Sequence, residues 1–223
     1  MESTTNPHRI LVVDDHSVVR HGLTMLLQKE PDLQVCGEAG TFDEALAAAQ
    51  ALQPEIALVD ITLKDRNGLD LIREWRKNLP GLRGLVLSMH DEAEYADRAL
   101  RSGARGYVMK EDADEVIVTA IRKVLSGEVY VSPAMSTRLI NQISHDAGDK
   151  DAETSAVASL TGRELEIFSC VGEGLSSRQI ADKFQLSERT VEVHRANIKK
   201  KLGCENAAQV LREAVRWVES QKS

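Results

Sequence analysis

The sequence is poor in the features that mark several common protein classes. Aromatic side chains make up only 4% of its 223 residues, so a packed core has to be built mainly from Leu, Val, Ile and Ala. Its three cysteines, Cys36, Cys170 and Cys204, are scattered without a Cys-x-x-Cys pair, which speaks against a disulfide framework and a zinc site; they read as reduced packing residues. No run approaches the ~18 apolar residues needed to cross a bilayer. Residues 1–9 are polar, with no apolar stretch behind a basic start, so a soluble cytoplasmic protein without membrane contact is expected. A Gly-Lys phosphate loop, a Gly-x-Ser-x-Gly elbow and a fixed-period repeat are also missing.

What is present is an ordinary globular composition, 42% apolar and 28% charged, in a chain long enough for two domains. Charge is distributed unevenly along it. Residues 1–130 carry 15 Lys+Arg against 22 Asp+Glu, residues 131–160 carry 2 against 4, and residues 161–223 carry 11 against 9. Only the last segment can approach phosphates without net repulsion.

Short apolar runs at 10–13, 33–36, 56–59, 85–88 and 106–109 alternate with helix-period stretches at 18–28, 43–52, 69–77, 92–101 and 114–126. Five such repeats predict an α/β domain, a (βα)5 doubly wound parallel sheet, over residues 8–128. Periodicity then fades, and residues 129–158 read as a linker opened by a short helix near 133–143. Four helices follow over residues 159–220, at 161–171, 176–184, 187–202 and 206–218. Thr161 with Glu164 and Ser176 with Gln179 fit the capping box, and Ser187 can cap the third helix. The tight turn at Gln185-Leu186 predicts a small all-α helix-turn-helix domain.

In open parallel sheets ligands bind beyond the carboxyl ends of the strands, and there stand Asp14 and Asp15 after the first strand and Asp60 at the end of the third. Carboxylates gathered at one point repel one another unless a hard cation lies among them, which suggests Mg²⁺. A carboxylate in such a site can be a nucleophile toward a phosphoryl group; Lys110 can supply a cation and Ser88 a hydroxyl donor. Met89, Thr62 and His90 would flank the acyl phosphate and tune its hydrolysis. His16 and His21 read as surface or packing residues rather than metal ligands.

Val12-Val13-Asp14-Asp15, Leu58-Val59-Asp60, Leu87-Ser88 and Gly106-Tyr107-Val108-Met109-Lys110 resemble the receiver domain, in order and spacing. The resemblance implies that Asp60 is the phospho-acceptor and that Asp14, Asp15, Asp60 and the Thr62 carbonyl position Mg²⁺. It implies too that Ser88 and Lys110 bind the phosphoryl group, and that Tyr107 is an aromatic that swings inward on activation. Glu111 departs from the pattern, standing where many receivers have proline.

On the third helix of the C-terminal domain, Val191, Ile198 and Leu202 share one face and should pack inward. Arg195, Lys199, Lys200 and Lys201 offer charge to phosphates. Leu160-Thr161-x-Arg163-Glu164, Gly174-Leu175-Ser176-x-x-x-Ile180-Ala181 and the run from Leu186-Ser187 to Lys201-Leu202-Gly203 resemble the LuxR/NarL-type DNA-binding domain. That resemblance puts base contacts at Glu192, Val193 and Ala196 and backbone contacts at Thr190, Arg195 and Lys199. A carboxylate beside phosphates needs a donor, so Glu192 is expected to accept from a cytosine amino group. His194 reads equally as a packing residue or a DNA contact. Ala207, Val210, Leu211 and Ala214 can form a dimer seam or only a core.

The whole chain is thus similar to two-component response regulators of the NarL/FixJ family. That implies a transcription factor, not an enzyme, activated when a sensor histidine kinase phosphorylates Asp60, with dimerisation and binding to double-stranded promoter DNA. An alternative is a phosphorylation-independent DNA-binding regulator whose receiver is only a dimerisation scaffold. A metal-dependent phosphatase is disfavoured because Thr62 stands where a second catalytic Asp would be needed.

Overall fold

The computed structural model describes residues 6–63, 66–89, 92–145, 157 and 159–220. His90 and most of the expected linker after residue 145 lie outside the described residues. The chain forms two compact units, Met1–Ser144 and His145–Ser223.

In the first unit, strands β1 (His8–Val13), β2 (Leu33–Ala39), β3 (Ile56–Asp60), β4 (Arg83–Ser88) and β5 (Gly106–Met109) make one sheet in the order β2-β1-β3-β4-β5, every pair parallel. Helices α1 (Ser17–Leu27), α2 (Phe42–Leu52), α3 (Gly68–Asn78), α4 (Glu92–Ser102) and α5 (Ala113–Leu125) connect and cover it. The central strands are apolar on both faces because helices lie on both sides, and β3 is buried at all five positions. On one face Ile10, Val12, Leu58, Leu85, Leu87 and Val108 pack against Leu23 and Leu27 of α1 and Ile117, Ile121 and Val124 of α5. The helices begin where the sequence supplies acceptors: the Thr41 hydroxyl accepts from the Glu44 amide, and Asn67 Oδ1 accepts from the Leu69 amide at 2.9 Å.

Two stretches depart from the sequence pattern. The second strand runs to Ala39, three residues beyond its apolar run. As an edge strand it needs only one buried face, and Glu38 on its open side accepts from Thr24 and pairs with Arg20. Beyond α5, the stretch expected as linker begins inside the first unit. Tyr130 bridges to Gly106 beside β5, the Tyr107 amide donates to the Tyr130 carbonyl at 2.8 Å, and Met135 is buried in helix α6 (Pro133–His145). Backbone pairing, Tyr130 packed against the core and buried Met135 hold these residues, although no strand-helix periodicity marks them in the sequence. Glycine is needed at 106, since a Cβ there would stand 2.7 Å from the Tyr130 carbonyl oxygen.

The second unit holds α7 (Gly162–Gly172), α8 (Ser177–Phe184), α9 (Glu188–Lys201) and α10 (Ala207–Ser220). Both capping boxes form, and Ser187 caps α9 by accepting from the Thr190 amide. Gln185 adopts φ 53° between α8 and α9, which lets the chain reverse in a very short turn. Leu165, Phe168, Ile180, Val191, Ile198, Val210 and Ala214 form the core, and Phe168 meets Trp217 at 5.8 Å between ring centroids. Charge also enters this core, since buried Arg163 pairs with buried Glu166 at 2.8 Å and Lys201 pairs with buried Glu164.

Candidate functional site

The strand order reverses direction between β1 and β3, so the connections leaving these two adjacent strands run to opposite faces of the sheet. The crevice so opened lies beyond their carboxyl ends. Asp14 and Asp15 follow β1, Asp60 ends β3, Ser88 ends β4 and Lys110 follows β5. Parallel pairing therefore brings to one end of the sheet residues that are far apart in sequence. Lys110 Nζ lies 2.6 Å from an Asp14 oxygen and 2.7 Å from Asp60 Oδ2. The second oxygen of Asp60 accepts from the Thr62 amide at 3.2 Å.

Both bridged carboxylates are almost fully buried, the Asp14 side chain 3% exposed and that of Asp60 5%. Burial pushes the Asp60 carboxyl up to about 6; Lys110 opposes this rise and the neighbouring Asp14 charge adds to it. Burial alone would lower Lys110, but the Asp60 and Asp14 charges outweigh it and hold the ammonium above its ordinary value. One oxygen of Asp15 is buried without a hydrogen-bond donor among the described residues. His16 Nδ1 comes within 2.7 Å of it, close enough to attract but outside hydrogen-bond geometry. Oxygen ligands of Asp14, Asp15 and Asp60, gathered within 4.8 Å with one of them undonated, fit a hard divalent cation such as Mg²⁺.

The surrounding residues frame this centre. Ser88 and Tyr107 are fully buried, so the Tyr107 ring is inward in this structure. Met89 is exposed. Thr62 forms an antiparallel bridge with Asn67, closing the loop after β3, and the Gly68 amide donates to the Ile61 carbonyl at 2.7 Å. Gly68 is a site residue that sequence reasoning missed. A Cβ on it would fall 2.0 Å from the Asp60 carbonyl oxygen, so the loop returns to Asp60 only because this position has no side chain. His16, read from the sequence as a surface or packing residue, has a largely exposed ring that stands beside Asp15 at the edge of the acidic cluster.

In the second unit the outer face of α9 presents exposed Glu192, Val193, Ala196, Lys199 and Lys200, with Thr190 and Arg195 half-buried. Val193 is 55% exposed, an unusual position for a branched apolar side chain. Its inner face carries fully buried Val191 and Ile198, while Leu202 is half-buried. Glu192 already has a donor within the chain: Ser177 Oγ, in the first turn of α8, donates to Glu192 Oε1 at 2.5 Å and accepts from Arg195 at 2.7 Å. His194 is half-buried, and its pKa is lowered, first by burial and then by the nearby Arg163 charge. In α10, Val210 and Ala214 belong to the core, whereas Ala207 and Leu211 are exposed.

Among the described residues no helix is long and apolar enough to cross a membrane. Residues 10–122 match the response regulator receiver domain, and residues 158–214 match the LuxR family of bacterial regulatory proteins. The oxygen regulatory protein NreC of Staphylococcus carnosus is 32% identical over 93% of this chain and 97% of its own length. NreC of Staphylococcus aureus is 33% identical over the same shares. Among solved structures, a LuxR-family two-component response regulator from Aurantimonas sp. aligns at 31% identity and TM-score 0.58 over 63% of this chain and all of its own. RcsB of Salmonella enterica bound to promoter rprA aligns with TM-score 0.58 over 94% of this chain and 99% of its own, at 22% identity, and so speaks for the fold alone. With the acidic crevice of one unit and the helix-turn-helix of the other, these matches identify the chain as a member of the NarL/FixJ family of two-component response regulators, transcription factors that join a receiver to a LuxR-type DNA-binding domain.

Proposed function

We propose that this regulator is switched by transfer of a phosphoryl group from a sensor histidine kinase to Asp60, and that the modified protein dimerises and binds promoter DNA through α9. The observation that carries the reading is the buried Lys110 ammonium within 2.7 Å of Asp60 and 2.6 Å of Asp14 at the strand ends. Asp14, Asp15, Asp60 and the Thr62 carbonyl would hold Mg²⁺, which neutralises charge on the phosphoryl oxygens when bound. An Asp60 carboxylate oxygen forms the new P–O bond as the P–N bond of the donor phosphohistidine breaks, and the released imidazole takes up a proton. Lys110 is poised to pair with the oxygens of the transferred group, and the Ser88 hydroxyl is poised to donate to one of them. Buried Ser88 and Tyr107 lie in neighbouring strands, so a new acceptor at Asp60 biases their packing between two arrangements.

In the same reading, Glu192, Val193 and Ala196 face base edges. Thr190, Arg195, Lys199 and Lys200 face the sugar-phosphate backbone, which sets affinity and its salt dependence. The test is to incubate the protein with Mg²⁺ and acetyl phosphate, measure its mass, and select bound duplexes from a random DNA pool, for wild type and Asp60→Asn. Wild type gains one acid-labile phosphoryl group and enriches a sequence more strongly when modified, and the variant does neither. Equal enrichment with and without donor, in both proteins, would instead support the phosphorylation-independent scaffold.

A further inference from the structure

The sheet has a second crevice, at the end opposite Asp60. A cavity of about 680 Å³ is lined there by α3, the turn after it, the start of β4, the end of α4 and the residues leading into β5. Its charged lining is Arg76, Arg83 and Arg105, with no Asp or Glu. None of the three arginines has an acidic partner among the described residues. This reverses the local sign of charge, because residues 1–130 carry 22 acidic side chains against 15 basic ones. Several other surface arginines of the unit are paired, as Arg122 is with Glu30 and Asp32, Arg73 with Asp70 and Arg20 with Glu38.

A basic residue in the last turn of a helix is ordinarily explained by the helix dipole, and that covers Arg76. It does not cover Arg83, the first residue of β4, or Arg105, which precedes β5. The rest of the wall is apolar, including Ile72, Trp75 and Leu100. Trp75 is 2% exposed, and its indole N–H is a buried donor with no acceptor among the described residues. Such a donor is uncommon in a finished core and marks a wall deficient in acceptors.

We infer that this cavity binds a small organic anion with two or more negative charges and an apolar body. Its guanidinium groups would pair with phosphate or carboxylate oxygens, and Pro80, Leu82 and Leu100, which are exposed or half-buried, would border the apolar part. The volume falls in the range of small-molecule sites, which favours a free metabolite over a protein segment. The site is separate from the Asp60 crevice, so it does not rest on the phosphorylation reading.

Calorimetric titration of the full chain in metal-free buffer with pyrophosphate, citrate and ATP, and with adenosine as the uncharged control, tests the inference. At least one anion is expected to bind saturably, more weakly as salt rises, and at least tenfold more weakly to Arg83→Gln/Arg105→Gln than to wild type. Asp60→Asn should bind as wild type does, which separates this site from the acidic crevice. In Trp217→Phe the single remaining tryptophan, Trp75, should change its emission with the same midpoint. Heat from adenosine equal to that from ATP, equal binding by the arginine variant, or no saturation below about 5 mM would overturn the proposal.

Discussion

The acidic crevice and helix α9 present charge in opposite ways. At the strand ends, charges converge from β1, β3 and β5, lose nearly all contact with water, and hold one another in place through Lys110. On α9, charges come from one continuous stretch, stay mostly in solvent, and are spaced by the helical turn. The first arrangement is sensitive to any change because its buried carboxylates share a single ammonium. The second tolerates change because water compensates it, and its energy is realised only against a partner.

Substitutions can test that contrast, in falling order of effect. Lys110→Met leaves Asp14 and Asp60 buried without their cation and should destabilise the metal-free receiver by about 3–5 kcal/mol in urea unfolding, with part regained on adding Mg²⁺. An unchanged midpoint would mean that the crevice opens to water and the contrast is overstated. Gly68→Ala forces a Cβ against the Asp60 carbonyl and should cost about 1–3 kcal/mol while lowering phosphoryl uptake; loss of neither would show that the loop relaxes freely.

Glu164 tests buried charge inside the DNA-binding unit itself. Burial would raise its pKa, but the Lys201 ammonium and the Thr161 backbone outweigh that and hold it below the usual glutamate value. A lowered folded-state pKa means stability that is fully present above the unfolded value of about 4.5 and is lost as pH falls through the folded one. Glu164→Gln keeps the capping geometry and loses the ion pair. It should melt below wild type at pH 7 by roughly 1 kcal/mol, with the gap closing in acid; a gap independent of pH would assign the effect to packing. Least affected in stability should be Ser177→Ala, within about 0.5 kcal/mol, as expected for an exposed site. Its readout is DNA preference. Releasing Glu192 and Arg195 from their shared hydroxyl should change the base selected opposite Glu192, and an identical selected sequence would show that the link is broken in the complex anyway.

Local pattern carried much of this into the sequence. The five strand-helix repeats and the three capped helices were legible because apolar periodicity and cap residues act within a few positions. The strand extension through Gly37 and Glu38 was not, because only its place at the sheet edge lets a polar strand persist. The acidic residues could be singled out because they end strands, and motif spacing named Lys110 with them. The close return of Gly68 to Asp60 could not, since it depends on the path of a loop. The Ser177 link crosses between two helices and has no sequence signature. Glu192 was expected to take a donor from a base edge beside phosphates, and in the free chain the Ser177 hydroxyl already donates to it.

The crevice also has an order of completion. Its carboxylates are all made before Lys110, and the Lys110–Asp60 bond closes a separation of 50 residues. A chain still leaving the ribosome has Asp14, Asp15 and Asp60 but lacks the fifth strand, α5 and the cation that lets the carboxylates stand together. Nonlocal closure of this kind comes late in folding. On the proposed reading, a copy that lacks the fifth strand has no cation beside Asp60 and should take up a phosphoryl group poorly, so that receiving the signal would itself require a complete receiver.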